Sequence, residues 1–161
     1  MMCRRPQMSR FFAVALSGVL LTVAVVVSAR QTPEEKNSAA LRIKVNGARN
    51  SKGAIRAALF RSAKGFPSDA AQAIRTQAAD IDPRALSAEI TFTGIPEGTY
   101  AVSVFHDENM NQKLDKNFMG IPKEGYGASN NPGKRMGPPR FEDAQFPING
   151  AERSLEIKLL Y

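Results

Sequence analysis

The chain has 161 residues, a formal charge of +7 and one cysteine, Cys3. That length allows a single domain, and a lone cysteine excludes a disulfide framework and a thiolate metal site. The basic residues are spread along the chain with few aromatics between them, which argues against a nucleic-acid-binding surface.

Met1 to Arg10 carries Arg4, Arg5 and Arg10 with no acid, and Phe11 to Ala29 is an apolar run ending in Val27-Ser28-Ala29. Basic, apolar, then small is the order of a helical signal peptide over residues 1–29, cleaved after Ala29. The competing reading is an uncleaved anchor, in which 11–29 would be the chain's one contact with a membrane. Both readings export the remainder to the periplasm or the cell exterior. Without Arg4, Arg5 and Arg10, nineteen basic residues face fifteen acidic ones, and the mature charge falls to +4.

Residues 30–40 read as a polar linker, and 41–161 as one β domain. Leu41-Arg-Ile-Lys-Val45 alternates apolar and basic residues, as a strand with one wet face does. Turn formers at Asn46-Gly47 and Asn50-Ser-Lys-Gly53 lead to Ala54–Phe60, and the spacing predicts a hairpin. Asp69 or Ser68 can cap a short helical turn, followed by a strand over about Ala73–Ala79. Ala88–Thr93 alternates again, Gly94-Ile-Pro-Glu-Gly98 reads as a turn, and Thr99–Phe105 is rich in β-branched and aromatic residues. From Phe118 to Pro139 the glycine and proline density precludes regular structure, with Phe118, Ile121, Tyr126 and Met136 as expected apolar anchors. Phe141–Ile148 and Ser154–Tyr161 close the chain as two strands about Asn149-Gly150. The sum is an all-β, seven-stranded antiparallel β-sandwich of immunoglobulin-like or prealbumin-like form.

The stretch with the most chemistry follows Phe105. Counted as a calcium loop, Asp107, Asn109, Asn111, the Lys113 carbonyl and Asp115 fall at alternate ligand positions, which makes calcium the candidate cofactor. Gln112 stands where such a loop needs glycine, and Phe118 where it needs a bidentate acid. A cage would need Glu108, Glu124, Glu142 or Asp143 from elsewhere. The bland alternative is a loop of Asx turns whose side chains cap their own backbone. His106, the one histidine, shares a strand face with Tyr100, Val102 and Val104 and is expected to be half-buried against loop backbone. Ser129 lacks a nucleophile elbow.

Three segments carry a resemblance: Gly94-Ile-Pro-Glu-Gly-Thr-Tyr-Ala-Val-Ser-Val-Phe-His-Asp-Glu-Asn109, the run from Asn111 to Asn131, and Gly137-Pro-Pro-Arg-Phe-Glu-Asp-Ala144. On these the chain resembles the secreted bacterial domain-of-unknown-function family 2141 over roughly Leu41 to Tyr161. That resemblance implies no activity. The unit of turn, strand and acidic loop is also similar to transthyretin-like and carboxypeptidase-regulatory-like sandwiches, some of which hold calcium in a comparable loop. Members of the family commonly carry glycine at the position of Gln112.

The expected function is therefore an exported binding or structural module of the cell envelope, its partner an envelope protein or glycan. The rival is an envelope hydrolase or carbohydrate-active enzyme using His106 and nearby carboxylates. Glu142 and Asp143 are expected to meet the Asp107 loop at one end of the sandwich and complete its oxygen cage or clasp.

Overall fold

The computed structural model describes residues 38–133 and 137–161. The expected signal helix and Met136 lie outside them. Ser38–Asn46 forms β1, so the domain's first strand begins three residues earlier than the alternation of its centre indicates. Leu41, Ile43 and Val45 are buried, while Arg42 and Lys44 face water.

The remaining strands are β2 (Ala54–Phe60), β3 (Arg75–Ala79), β4 (Ser87–Pro96), β5 (Gly98–Asp107), β6 (Tyr126–Ala128), β7 (Phe146–Ile148) and β8 (Glu152–Lys158). They make eight, not seven. The addition is β6, inside the stretch judged too rich in glycine and proline for regular structure. Three residues are too few to show alternation, and pairing with Ser103–Phe105 on the edge of β5 is what makes them a strand. Asp69 caps a single 3-10 turn, Ala70–Gln72, by accepting from the Ala71 amide. Phe141–Ala144 is a helical turn, α1, where a strand was expected.

Two sheets result, of order β4-β1-β8 and β3-β2-β5-β6, with β7 also on β5. β1 pairs β4 antiparallel but β8 parallel, so the sandwich is not wholly antiparallel. The expected hairpin β1–β2 does not form either, because its members lie in different sheets, and β7 and β8 are likewise divided between the sheets. Between β4 and β5 only Glu97 intervenes. The register of β1 slips against β4 between Ala39 and Leu41, which pair with Ile95 and Phe92. The extra residue of this bulge is accommodated at Gly94, whose φ of +69° a side chain would oppose.

The core lies between the sheets. β1 contributes Leu41, Ile43 and Val45, β4 Ile90 and Phe92, β2 Ile55 and Leu59, and β5 Tyr100, Val102 and Val104. Each fully buried side chain of this size contributes roughly 1.5–3 kcal/mol. A satellite cluster of Ala101, Ala128 and Ala144, with Phe66 and Phe141 against it, seats α1 on the outer face of β5. Among the described residues no helix is long and apolar enough to cross a membrane.

Candidate functional site

Alternation along β5 turns Tyr100, Val102, Val104 and His106 towards the core and Ser103, Phe105 and Asp107 to the other face. His106 is fully buried, more deeply than expected. Its Nε2 lies 2.7 Å from the Lys52 carbonyl oxygen and must donate to it. Its Nδ1 lies 2.8 Å from Tyr161 Oη. The phenol in turn accepts from the Arg49 amide at 2.9 Å. An imidazole protonated on Nε2, with the Tyr161 hydroxyl donating to Nδ1, satisfies all three contacts. The Arg49 guanidinium covers the Tyr161 ring at 4.9 Å. Both nitrogens are used inside the protein, so none faces a substrate.

Asp107 is also fully buried. Its Oδ1 accepts from the Asn111 amide at 3.0 Å, and its Oδ2 from the Gln112 amide at 3.0 Å and from Arg56 Nε. Gly53 is required beside it. At φ +68° its backbone passes so close that a Cβ would stand 1.9 Å from the Asp107 carbonyl oxygen. Further along, Asn109 Oδ1 accepts from Asn111 N and Asn111 Oδ1 from Lys113 N. The side-chain amides of Asn109 and Asn111 donate to the two oxygens of Asp115 at 2.8 and 3.0 Å. Gln112 takes φ +66°, the left-handed conformation glycine adopts without penalty.

Glu124 closes this loop at its base. Buried, it accepts from the Glu108 amide at 2.9 Å and the Asp115 amide at 3.0 Å. Glu108 itself ties the loop to the β1–β2 connection, accepting from Asn50 Nδ2 at 3.0 Å and pairing with Arg49 Nη2 at 2.6 Å. Partial burial pushes its carboxyl up, but the Asn50 and Arg49 hydrogen bonds and the Arg49 charge outweigh that and hold it below the ordinary value of 4.5.

The loop thus brings together Asp107, Asn109, Asn111, Lys113 and Asp115, and adds Glu124. It does not bring in Glu142 or Asp143. Those stand on α1, which packs on Ala101 near the opposite end of β5, about 20 Å along the strand from Asp107. Ser129 belongs to that end too: buried, it accepts from the Val102 amide at 2.9 Å and donates to the Ala144 carbonyl at 2.6 Å, pinning α1 to β5. As a calcium cage the loop fits poorly. Its carboxylates are engaged by amides, Asp107 already carries a guanidinium, and among the described residues no three carboxylate, histidine or cysteine side chains cluster to hold an ion.

On the outer face of the second sheet a groove of about 1000 Å³ runs along β2 and β5. Ala58, Ala78 and Ser103 form its floor beside Phe105, and the small size of these three sets its depth. One wall is the loop after Asp115. Lys116 and Pro122 bridge, the Asn117 amide donates to the Ile121 carbonyl at 2.8 Å, and Asn117 Oδ1 accepts from Met119 and Ile121 amides. This small self-bonded hairpin holds its apolar residues out. Phe118 is 98% exposed, Met119 64% and Ile121 51%, so the expected anchors Phe118 and Ile121 do not anchor the loop. Tyr126, the third, lies half-buried at the groove edge. Apolar side chains held out by a self-bonded turn form an exposed apolar patch. The sequence does carry the signal, an apolar triplet between turn formers with Lys113, Lys116 and Lys123 around it.

A family model described as an uncharacterized protein conserved in bacteria (DUF2141) matches residues 43–156. No curated protein and no solved structure matches the chain.

Proposed function

The chain belongs to the family of uncharacterized proteins conserved in bacteria, DUF2141, and from that premise we propose that it is an exported β-sandwich module that binds a largely apolar small ligand in the groove over β2 and β5. The observation that carries this reading is the groove itself. About 1000 Å³ is enough for a drug-sized molecule, its floor is apolar, and exposed Met119 and Ile121 line its wall. The family match spans every residue of the lining. Export rests on the basic and apolar leader over residues 1–29, and sequencing the amino terminus of the accumulated protein separates cleavage from anchoring.

The Asp107 loop is then a structural clasp rather than a calcium centre. Its oxygens serve backbone amides, asparagine side chains and Arg56, so calcium and chelator should leave the melting temperature unchanged. The envelope hydrolase loses its base in His106, which is enclosed. Kinship with immunoglobulin-like or prealbumin-like sandwiches draws support from Tyr100, whose buried hydroxyl donates at 2.8 Å to the Pro96 carbonyl four residues back, in the manner of a tyrosine corner.

Nile red, an uncharged dye that brightens in apolar sites, tests the groove. The native exported protein should enhance its emission, and Ala58→Leu or Ala78→Leu, which fill the floor from the outer face, should abolish the enhancement. Equal enhancement by both variants would remove the groove as a binding site.

A further inference from the structure

Among the described residues, the charge around the groove is one-sided in sign and in place. Its lining holds Arg56, Lys113 and Lys116, and among the described residues not one carboxylate. Arg56 is committed to Asp107. Lys113 and Lys116 are exposed, and among the described residues neither has an ion-pair partner. Both belong to the loop that hangs from the Asp107 end of β5. Towards the other end the described lining is uncharged: Ala58, Pro67, Ala70, Thr76 and Ser103. Cations at one end and an uncharged trough with an alanine and proline lining at the other match a molecule with the complementary division.

Resting on the groove reading, we infer that the ligand is a single-chain anionic amphiphile, with its head on Lys113 and Lys116 and its chain laid along the floor over Ala58 and Ser103 towards Pro67. The small side chains admit a chain without a shape-specific pocket, and two free ammonium groups select the sign of the head. Met119 and Ile121 cover the chain from the side. Lys→Glu changes at the rim weaken the head contact, whereas filling the floor displaces the chain whatever its head.

Isothermal titration of the exported protein with laurate, dodecyl maltoside and dodecyltrimethylammonium, each below its micelle concentration, decides it, since the three share a chain and differ in head charge. Laurate should bind about tenfold more tightly than the maltoside, and the cationic amphiphile more weakly still. Lys113→Glu with Lys116→Glu should erase the laurate preference and leave maltoside binding in place. Ala58→Leu, or Ala78→Leu should the first fail to fold, should weaken both. Equal affinity for all three heads overturns the inference while leaving the groove standing. Binding that ignores both floor variants overturns both. Sedimentation with phosphatidylglycerol vesicles but no heat with monomeric laurate also overturns it, and assigns Phe118 and the lysines to a membrane surface instead.

Discussion

Tyr161 does more than end the chain. Its hydroxyl is shared by His106 Nδ1 and the Arg49 amide, and its ring lies so close to Gly125 that a Cβ there would stand 2.5 Å from it. Tyr161→Phe keeps the ring and removes the hydroxyl, leaving a fully buried imidazole nitrogen without its partner. The expected loss is about 1–3 kcal/mol, read from urea unfolding at neutral pH. Alkali should show the same contact. Burial raises the phenol above its ordinary 10.0, and the charges of Glu108 and Glu124 add to this against the opposing Arg49 amide and guanidinium. A raised folded-state value means that the folded chain favours the protonated phenol more than the unfolded chain does. That contribution is whole below pH 10.0 and is lost as pH rises through the folded-state value. Wild-type stability should therefore decline across that interval while Tyr161→Phe stays flatter, and parallel declines would refute the role given to the phenol.

Among the elements, the loop from Asp107 to Glu124 depends on one carboxylate. Glu124 offers an oxygen to each of two backbone amides, Glu108 and Asp115, sixteen and nine residues away in sequence. Glu124→Gln replaces one acceptor with a donor facing a donor. We expect the amides of Glu108 and Asp115 to exchange at least about fivefold faster with deuterium, with about 1–3 kcal/mol lost locally. Glu142→Gln, on α1 at the far end of β5, should leave those amides unchanged; an equal effect would mean that the two ends communicate. The loop's internal Asx turns were legible because aspartate and asparagine act on amides two to five residues on. Glu124 was only one of four candidates, since nothing local says which distant acid returns. The same limit explains the strands. Alternation in Leu41–Val45 or Thr99–Phe105 reports which side chains meet the core, but not which sheet a strand joins. Hence β1 and β2 look like a hairpin and are not one, and the parallel partner of β1 comes from 110 residues or more along the chain. Phe118 failed for a related reason: an aromatic between turn formers looks like an anchor unless the turn is seen to bond only to itself.

At the scale of the whole molecule, the two sheets are joined by more than their core. Past β8 the chain leaves the first sheet and crosses to the second. The Leu159 amide donates to the Asn46 carbonyl on β1 at 2.9 Å, and Leu160 exchanges two hydrogen bonds with Tyr126 on β6 at 2.8 and 2.9 Å. Leu159 is buried within the main core, and Tyr161 then reaches His106. Three residues thus sew β1, β6 and β5 together at the clasp end, close to the edge strand that borders the groove. Gly127 permits the approach, because a Cβ there would stand 2.9 Å from both Ile157 and the Lys158 carbonyl oxygen. Deleting Leu159–Tyr161 removes one buried leucine, about 1.5–3 kcal/mol, together with the backbone bonds and the Tyr161 contacts, and a loss of about 3–6 kcal/mol follows. A small domain holds about 5–15 kcal/mol in total, so the truncated protein should unfold at much lower urea. If it folds at all, Tyr126 and Gly127 should lose amide protection first, while β1 and β4 keep theirs. Uniform weakening of all strands would show that the tail only adds to the core, and protection of Tyr126 unchanged from wild type would show that β6 is held by β5 alone.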